Sequence, residues 1–484
     1  MRNKEDLFNL IKAMSKSEKR YFVLDAKKSG RSASRYLTLF ETLGKMEEFD
    51  EEKLKKKFPQ NLPSDKAYLY EAILRSMRDY RSASSKAAQV KERLMDARFL
   101  YERGLYDQST GRIAEAKVMA KELEDHFTLL EINKEEQVSI FDRRAKVALE
   151  HLESLNEERL KTLKAIDEEM KYHDLYYRLG LEVYREFNLK DKTSIEALQK
   201  RLPIELLSEK HKPQFPQAQR RFYLCNAAYY TLLGDLDKVH HYYLRSVNWW
   251  DRYPALKEEE FHRYIINVFN LVNTSYKIKK YYHIAEEWID KLSKEKSNLS
   301  HHNQKLIFRT LSLSRLLHLL NQNEFKKAEK VLPEIIEELK KFKLTKSIVL
   351  IGNIITVYFL VKDYPNCIYW VDFLSKNLKG SGREDVHRIC RLYRIIAYYE
   401  INDFDKAEAE VRATTRYYKS VGLAKERFEF QVLNTYLKQI FNAPISEIKE
   451  SKNNFKSFLK EIKEKPNSDM PLGVDELLIW LNES

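Results

Sequence analysis

Residues that punctuate β-structure and tight turns are scarce, with only 11 glycines and 11 prolines in 484 residues. That argues against many short strands and for long helices joined by short links. Cysteine is scarcer still: Cys225, Cys367 and Cys390 are far apart and odd in number. They exclude a disulfide framework and suit a reducing compartment, with the thiols acting as small core residues. Long apolar runs are missing too. The least charged stretch, "SIVLIGNIITVYFLV" between Lys346 and Lys362, contains Asn353 and Thr356 and falls short of the roughly 20 residues a membrane helix needs. It reads as a buried helix. The opening "MRNKEDLFNLIKAMSKSEKR" has no signal-peptide run. The expectation is a soluble, cytoplasmic chain with no membrane partner.

The usual marks of an active site are also absent. No Gly-rich phosphate loop follows a strand, and "KGSGR" at 379–383 reads as a connecting loop rather than an anion nest. There is no HExxH or CxxC. The pairs His240–His241 and His301–His302 diverge by about 100° on a helix, which is poor geometry for sharing one ion. Glu286–Glu287 and Glu408–Glu410 sit among lysines and read as solvated faces. No cofactor or metal is expected, and the chain reads as non-enzymatic.

What the chain does have is a core-forming composition, 43% hydrophobic and 33% charged, and a recurring register. An aromatic or leucine precedes a Phe, Tyr or Leu by six residues. A small residue follows three later and an apolar one four beyond that. The copies are Tyr398–Phe404–Ala407–Val411, Leu319–Phe325–Ala328–Leu332, Tyr358–Tyr364–Cys367–Val371 and Tyr276–Tyr282–Ala285–Ile289, with weaker ones at Tyr230–Leu236–Val239–Tyr243 and Leu100–Tyr106–Ser109–Ile113. From residue 236 the second member recurs at steps of 46, 43, 39 and 40. A period of this size marks stacked helix hairpins. The first aromatic ends one helix, a polar link turns the chain, and the next aromatic packs back into the crotch. The small residue lets the second helix approach closely.

"YYEINDFDKAEAEV", "HLLNQNEFKKAEKVL" and "CNAAYYTLLGDLDKV", with Ala227 in the first helix, resemble the tetratricopeptide-repeat family. Ile355 and Ile395 depart from the small residue expected there, and the period is nearer 40 than 34. The resemblance implies an all-α fold in which antiparallel helix pairs form a divergent right-handed solenoid over about residues 86–441. It also implies a concave groove for a peptide or protein segment.

Five segments follow: a basic helical module at 1–85, the first repeat-like pairs at 86–139, an irregular helical segment at 140–215, in which "ESLNEERLKTLKAIDEEMKYHDLYY" reads as a charged amphipathic helix, with a hinge or linker at "HKPQFPQAQ", the main array at 216–441 and capping helices at 442–484. In the cap, Leu477 and Trp480 can seal the last hairpin. The long helix after Pro63 is read as running through "RSASSKAAQV" into the first repeat.

The net charge of +13 is concentrated at the start, where residues 1–100 hold 23 Lys/Arg against 15 Asp/Glu. Lys16, Lys19, Arg20, Lys27, Lys28, Arg31 and Arg35, with the stripe Arg75, Arg78 and Arg81, form a patch for an acidic partner or a phosphate backbone. Arg309, Arg315, Asn353, Arg391 and Arg394 are the candidate groove residues, because first helices line the concave side and these fall outside the register. Such arginines favour an acidic segment with an apolar anchor. The second rings of Trp249–Trp250 and Tyr417–Tyr418 are further candidate contacts. The leading expectation is a scaffold that binds a protein or peptide. The alternative is a nucleic-acid-associated regulator using residues 1–85, with the array as sensor or dimeriser. No pattern in the sequence sets the oligomeric state.

Overall fold

The computed structural model describes residues 4–28, 35–83, 85–142, 149–185, 189, 192–295, 300–342, 347–377, 383–420, 423, 427–444, 446–464 and 471–483. Every regular element among them is helical. None of these helices is long and apolar enough to cross a membrane.

Helices α1 (Asp6–Ala13), α2 (Lys16–Lys28), α3 (Arg35–Lys45), α4 (Glu51–Lys57) and α5 (Leu62–Ser82) close around Leu7, Ile11, Leu39, Leu43, Leu54 and Leu69. The "SKSE" stretch starts α2 as a reciprocal capping box. The Glu18 amide donates to the Ser15 hydroxyl at 3.2 Å, and the Ser15 amide donates to the Glu18 carboxylate at 2.6 Å. The expected continuation of α5 into the repeats is not found. It stops at Ser82, and the Ser85 hydroxyl caps α6 (Lys86–Tyr101) by accepting from the Ala88 amide. Serine competes for its own backbone, which favours caps over helix interiors.

Six hairpins carry the register: α6 with α7 (Tyr106–Glu122), then, beyond α8 (His126–Asp142), α9 (Leu149–Arg185) and α10 (Lys192–Arg201), α11 (Pro216–Leu232) with α12 (Leu236–Trp249); after α13 (Pro254–Glu259) come α14 (Phe261–Ser275) with α15 (Tyr282–Ser293), α16 (His301–Asn321) with α17 (Phe325–Lys341), α18 (Ile348–Leu360) with α19 (Tyr364–Asn377), and α20 (Glu384–Glu400) with α21 (Phe404–Ser420). The first helix of each pair is termed A and the second B. The C-terminal part holds α22 (Phe428–Gln431), running through a π-turn into α23 (Lys438–Asn442), then α24 (Ile448–Lys463) and α25 (Val474–Glu483).

One turn recurs. Gly104, Gly234, Asn323, Lys362 and Asn402 all have φ between 57° and 73°. In each case the next amide donates back five residues, to the carbonyl of Leu100, Tyr230, Leu319, Tyr358 or Tyr398, at 2.9–3.1 Å. Those five acceptors are the first members of the register, so the motif is a left-handed helix C-cap of fixed geometry. Asp235, Asp363 and Asp403 then cap the B helix by accepting from an amide three residues on. The same turn at Glu124 joins α7 to α8, a copy the register does not include. The hairpin after Tyr276 differs, inserting a 3₁₀ turn at Lys279–Tyr281.

The small positions are the closest contacts. Ala285, Ala328 and Cys367 are fully buried, as nearly are Ala407, Val239 and Ser109. The Ser109 hydroxyl donates to the Ala97 carbonyl across the α6–α7 pair at 2.8 Å. The aromatic after the turn behaves differently from the expectation. Tyr364 is buried, but Phe404 and Tyr106 are exposed and lie edge-on to Tyr399 and Tyr101. The turn is so tight that the ring meets the end of helix A rather than the crotch.

Successive pairs pack in a repeat-like way, α12 and α16 against α14, and α18 against α16 and α20. Within residues 140–215 the amphipathic helix expected from the sequence is part of the 37-residue helix α9, which packs on both α8 and α11. Its Glu168 carboxylate accepts from the Gln214 and Phe215 amides, so the stretch read as a hinge is tied to α9.

Candidate partner-binding face

The A helices share a side that can be followed by register. Counting back from Tyr398, positions five and nine residues earlier are Tyr393 and Ile389, both buried. Helix α25 lies over them. A Cβ placed on Gly473, just before α25, would come within 2.5 Å of two Ile389 side-chain atoms and 3.3 Å of the Tyr393 hydroxyl. Only glycine, at φ +96°, lets the chain pass this close. Further along, the Trp480 indole donates to Glu400 at 2.9 Å, and α25 also contacts α18. Val474, Leu477 and Trp480 are buried in the core that this end of the chain shares. Asp475 and Glu476 lie in its first turn. Burial pushes the Glu476 carboxyl up to about 7, and the neighbouring Asp475 adds to the rise.

On α14, α16 and α18 four of the six corresponding positions carry polar groups, the other two being Leu271 and Val349. Asn353 stands where Tyr393 does. Ser314 and Thr310, on α16, and Asn267, on α14, occupy the five- and nine-back positions. The Asn353 and Asn267 amide nitrogens and both hydroxyls are buried without a hydrogen-bond partner. Unpaired buried polar groups carry a desolvation penalty, and here four of them follow one line across three helices.

The candidate groove residues do not form one set. Arg394 is buried and bridges two B helices, reaching Asp372 of α19 at 2.6 Å and Glu410 of α21. Arg391 lies over the Tyr417 ring with Glu410 3.6 Å away, and Arg315 reaches Glu334 of α17 at 3.4 Å. Each of these three arginines reaches an acid on a B helix, where Arg394 and Arg391 are largely buried and Arg315 stays exposed. Arg309 has a buried, unpaired Nε and lies 5.8 Å from the Phe269 ring of α14, and Asn353 lies on the side that α25 covers. Of the candidate rings, both Trp249 and Trp250 are fully buried. Tyr417 is half-buried and donates to Glu384. Neither pair leaves a free ring. Buried Arg220 stacks on both tryptophans and pairs with Glu260 at 3.1 Å, a staple that nothing in the local sequence announces.

In the N-terminal module Lys16, Arg20, Lys27 and Lys28 are exposed on α2, which packs along α5, where Arg75, Arg78 and Arg81 are exposed. Lys19 is half-buried, and its ammonium is pushed down by burial and by Lys12. Arg35 leaves the patch, because it pairs with Asp65 at 2.7 Å and donates to the Gln60 carbonyl. Arg75 lines a cleft with Asp25 and Asp79. Arg31 and the "KGSG" of the 379–383 loop lie outside the described residues.

Buried Cys225, Cys367 and Cys390 are free thiols, and burial pushes each well above the ordinary thiol range. They pack as small apolar residues. No group of three metal-ligating side chains occurs among the described residues. Buried His240, stacked on Tyr281 at 3.6 Å, is pushed down to about 4.

Together these features define an all-helical protein whose helices pack in repeat-like pairs, with one side of the A helices partly covered by the chain's own C-terminal helix. No family model, curated protein or solved structure matches the chain.

Proposed function

We propose that this chain is a non-enzymatic cytoplasmic scaffold, a right-handed tetratricopeptide-like solenoid that takes a helical segment of a partner protein along the A-helix side. The observation that carries the reading is α25. It is an acidic, amphipathic segment with Trp480 and Leu477 as anchors, seated on α18 and α20. A helix laid apolar face down in a groove is a recurrent recognition mode. The unpaired groups of Asn267, Thr310, Ser314 and Asn353 continue the same line toward α14.

A labelled peptide of residues 471–484 tests it by fluorescence anisotropy against the full chain. The wild type should bind weakly, because its own α25 fills the seat, and Trp480→Ala should bind at least tenfold tighter. Folded variant protein that ignores the peptide would end this reading.

A second reading rests on α2 and α5, whose exposed Lys16, Arg20, Lys27, Lys28, Arg75 and Arg78 share one module. If they hold a phosphate backbone, mixed-sequence nucleic acid binds with steep salt dependence. Changing Lys16, Lys27 and Lys28 to Gln then flattens that slope. No binding at low ionic strength removes this reading.

A further inference from the structure

The basic module has a cleft in its charged surface. It opens between α2, α3 and α5 and holds about 240 Å³. Asp25 of α2, Tyr36 of α3, and Tyr68, Arg75, Ser76 and Asp79 of α5 line it. The α5 residues recur with Ala72 at three- and four-residue steps, which keeps them on one helix face. The Tyr36 and Tyr68 rings pack 4.3 Å apart, and Tyr68 is 40% exposed, so the aromatic wall is partly open to solvent. Ser76 is only 2% exposed, and its hydroxyl has no hydrogen-bond partner. A buried hydroxyl in that state carries a desolvation penalty that an occupant of the cleft can relieve. The charges are mixed. Arg75 shares the cleft with two carboxylates. Exposed Lys28 and Arg78 lie three residues beyond Asp25 and Arg75, within one helical turn of it.

We propose that the cleft takes one unpaired guanine of a single-stranded nucleic acid whose backbone follows the Arg75–Arg78–Arg81 edge of α5. This rests on the nucleic-acid reading of the module and adds to it the form of the strand and the base. Charge sorts the occupants. A simple cation would meet Arg75, Arg78 and Lys28, and a bare anion would meet Asp25 and Asp79. A nucleotide carries both kinds of group, a donor edge on its base and a phosphate one sugar away. Bases of every kind stack on aromatic rings, so Tyr68 supplies affinity without choice. Choice comes from the carboxylates, which only accept hydrogen bonds. Guanine alone among the common bases sets two donors side by side on its pairing edge, N1–H and the N2 amine, and one carboxylate accepts both. Adenine, cytosine and thymine each set a donor next to an acceptor. A duplex hides that edge in its own base pairs, whereas a single strand can turn the base out onto a protein ring. The three arginines span six residues of helix, about 9 Å, which offers phosphates beyond the one next to the cleft a place to sit. A strand fits that edge better than a free nucleotide.

Fluorescence anisotropy of the full chain with thymidine strands of about twelve nucleotides, each carrying one central guanine, hypoxanthine or adenine, reads the choice. The guanine strand should bind at least tenfold tighter than the adenine strand and than its own duplex. Hypoxanthine, which lacks the N2 amine, should fall between. Asp25→Asn with Asp79→Asn should erase the preference and keep the salt slope. Arg78→Gln with Arg81→Gln should flatten the slope and keep the preference. Tyr68→Ala should weaken every strand about tenfold, and Tyr68→Phe, which keeps the ring, should not; unchanged melting confirms that each variant is folded. Guanosine monophosphate should displace the strand only at a concentration at least a hundredfold higher. Equal binding of guanine and adenine strands, a duplex as tight as the strand, a preference that survives both asparagines, or the mononucleotide competing on equal terms would each overturn the proposal. Salt-dependent binding without base choice would do so and leave the nucleic-acid reading standing. No binding at low ionic strength would remove both.

Discussion

The hairpin that turns after Leu100 and the one that turns after Tyr398 are made the same way and end differently. Each reverses through a left-handed residue whose following amide closes on the register carbonyl, at 3.0 and 2.9 Å. Each buries a small residue, Ser109 or Ala407, against its first helix. Yet Ala397 and Val411 join a core that runs on to Leu481, whereas Ile113 belongs to a small cluster bounded by Val90 and Ile132. Among the described residues, fourteen large apolar side chains are exposed between 95 and 184, against three between 301 and 464. Hairpin formation is therefore local and cheap to repeat, while closure of the apolar surface depends on what stacks next. In the C-terminal half, α25 completes the closure. Around α9 nothing among the described residues does, and a patch of that extent marks an interaction surface.

The largest expected effect breaks the hairpin itself. Ala328→Arg and Ala407→Arg each place a long cation where two helices meet, costing about 3 kcal/mol or more through overpacking and buried charge. Lys327→Ala and Lys406→Ala, one residue away and exposed, should leave thermal melting unchanged. Indistinguishable melting curves for the two sets would remove the structural meaning of the register.

Next in size is the contrast between covered and open apolar residues. Leu477→Ala removes a fully buried side chain and should cost about 2–5 kcal/mol by urea titration. Leu181→Ala, on the exposed apolar side of α9, should leave stability within a few tenths of a kcal/mol. If Leu181→Ala proved as costly as Leu477→Ala, that side would be part of the core.

A smaller, pH-dependent effect singles out α25. Glu476 titrates near 7 when folded, above the carboxylate value of an unfolded chain, so the folded state holds the extra proton. Its penalty is absent below pH 4, grows as pH rises through the window up to 7, and is complete above it. Docking of α25 should weaken over that window, read as faster proteolysis after α24. Glu476→Gln should flatten the pH dependence. A variant that keeps the wild-type profile would assign the titration to another group.

Much of this was legible beforehand. The register, its six turns and the capping box at Ser15–Glu18 depend on residues within a few positions of each other, and such chemistry is readable locally. The side each arginine faces was not, because one residue of helix phase separates Arg394, locked between Asp372 and Glu410, from Tyr393 beneath α25. Nor was the seat of α25, which joins Gly473 to Ile389 and Trp480 to Glu400 across some eighty residues. The exposed apolar side of α9 was hidden for a third reason. Its helix is apolar on two sides, and only the packing of α8 and α11 shows which side is spent.

The finest test asks whether the turn is as autonomous as the two hairpins suggest. Gly104 and Asn402 hold the same left-handed position, at φ 73° and 61°. A Cβ on Gly104 would meet no atom within 4 Å, so Gly104→Ala changes only the backbone preference. Alanine in that region costs about 1–2 kcal/mol, and Asn402→Ala should cost a similar or slightly smaller amount, since asparagine tolerates the conformation better than alanine does. Asn402→Gly should be close to neutral. Chemical denaturation of the three variants reads these values directly. Similar costs in two such different surroundings would mean that the hairpin is set by its turn and only afterwards stacked. A cost at Asn402 several times that at Gly104 would mean instead that the extended core of the C-terminal half imposes the turn.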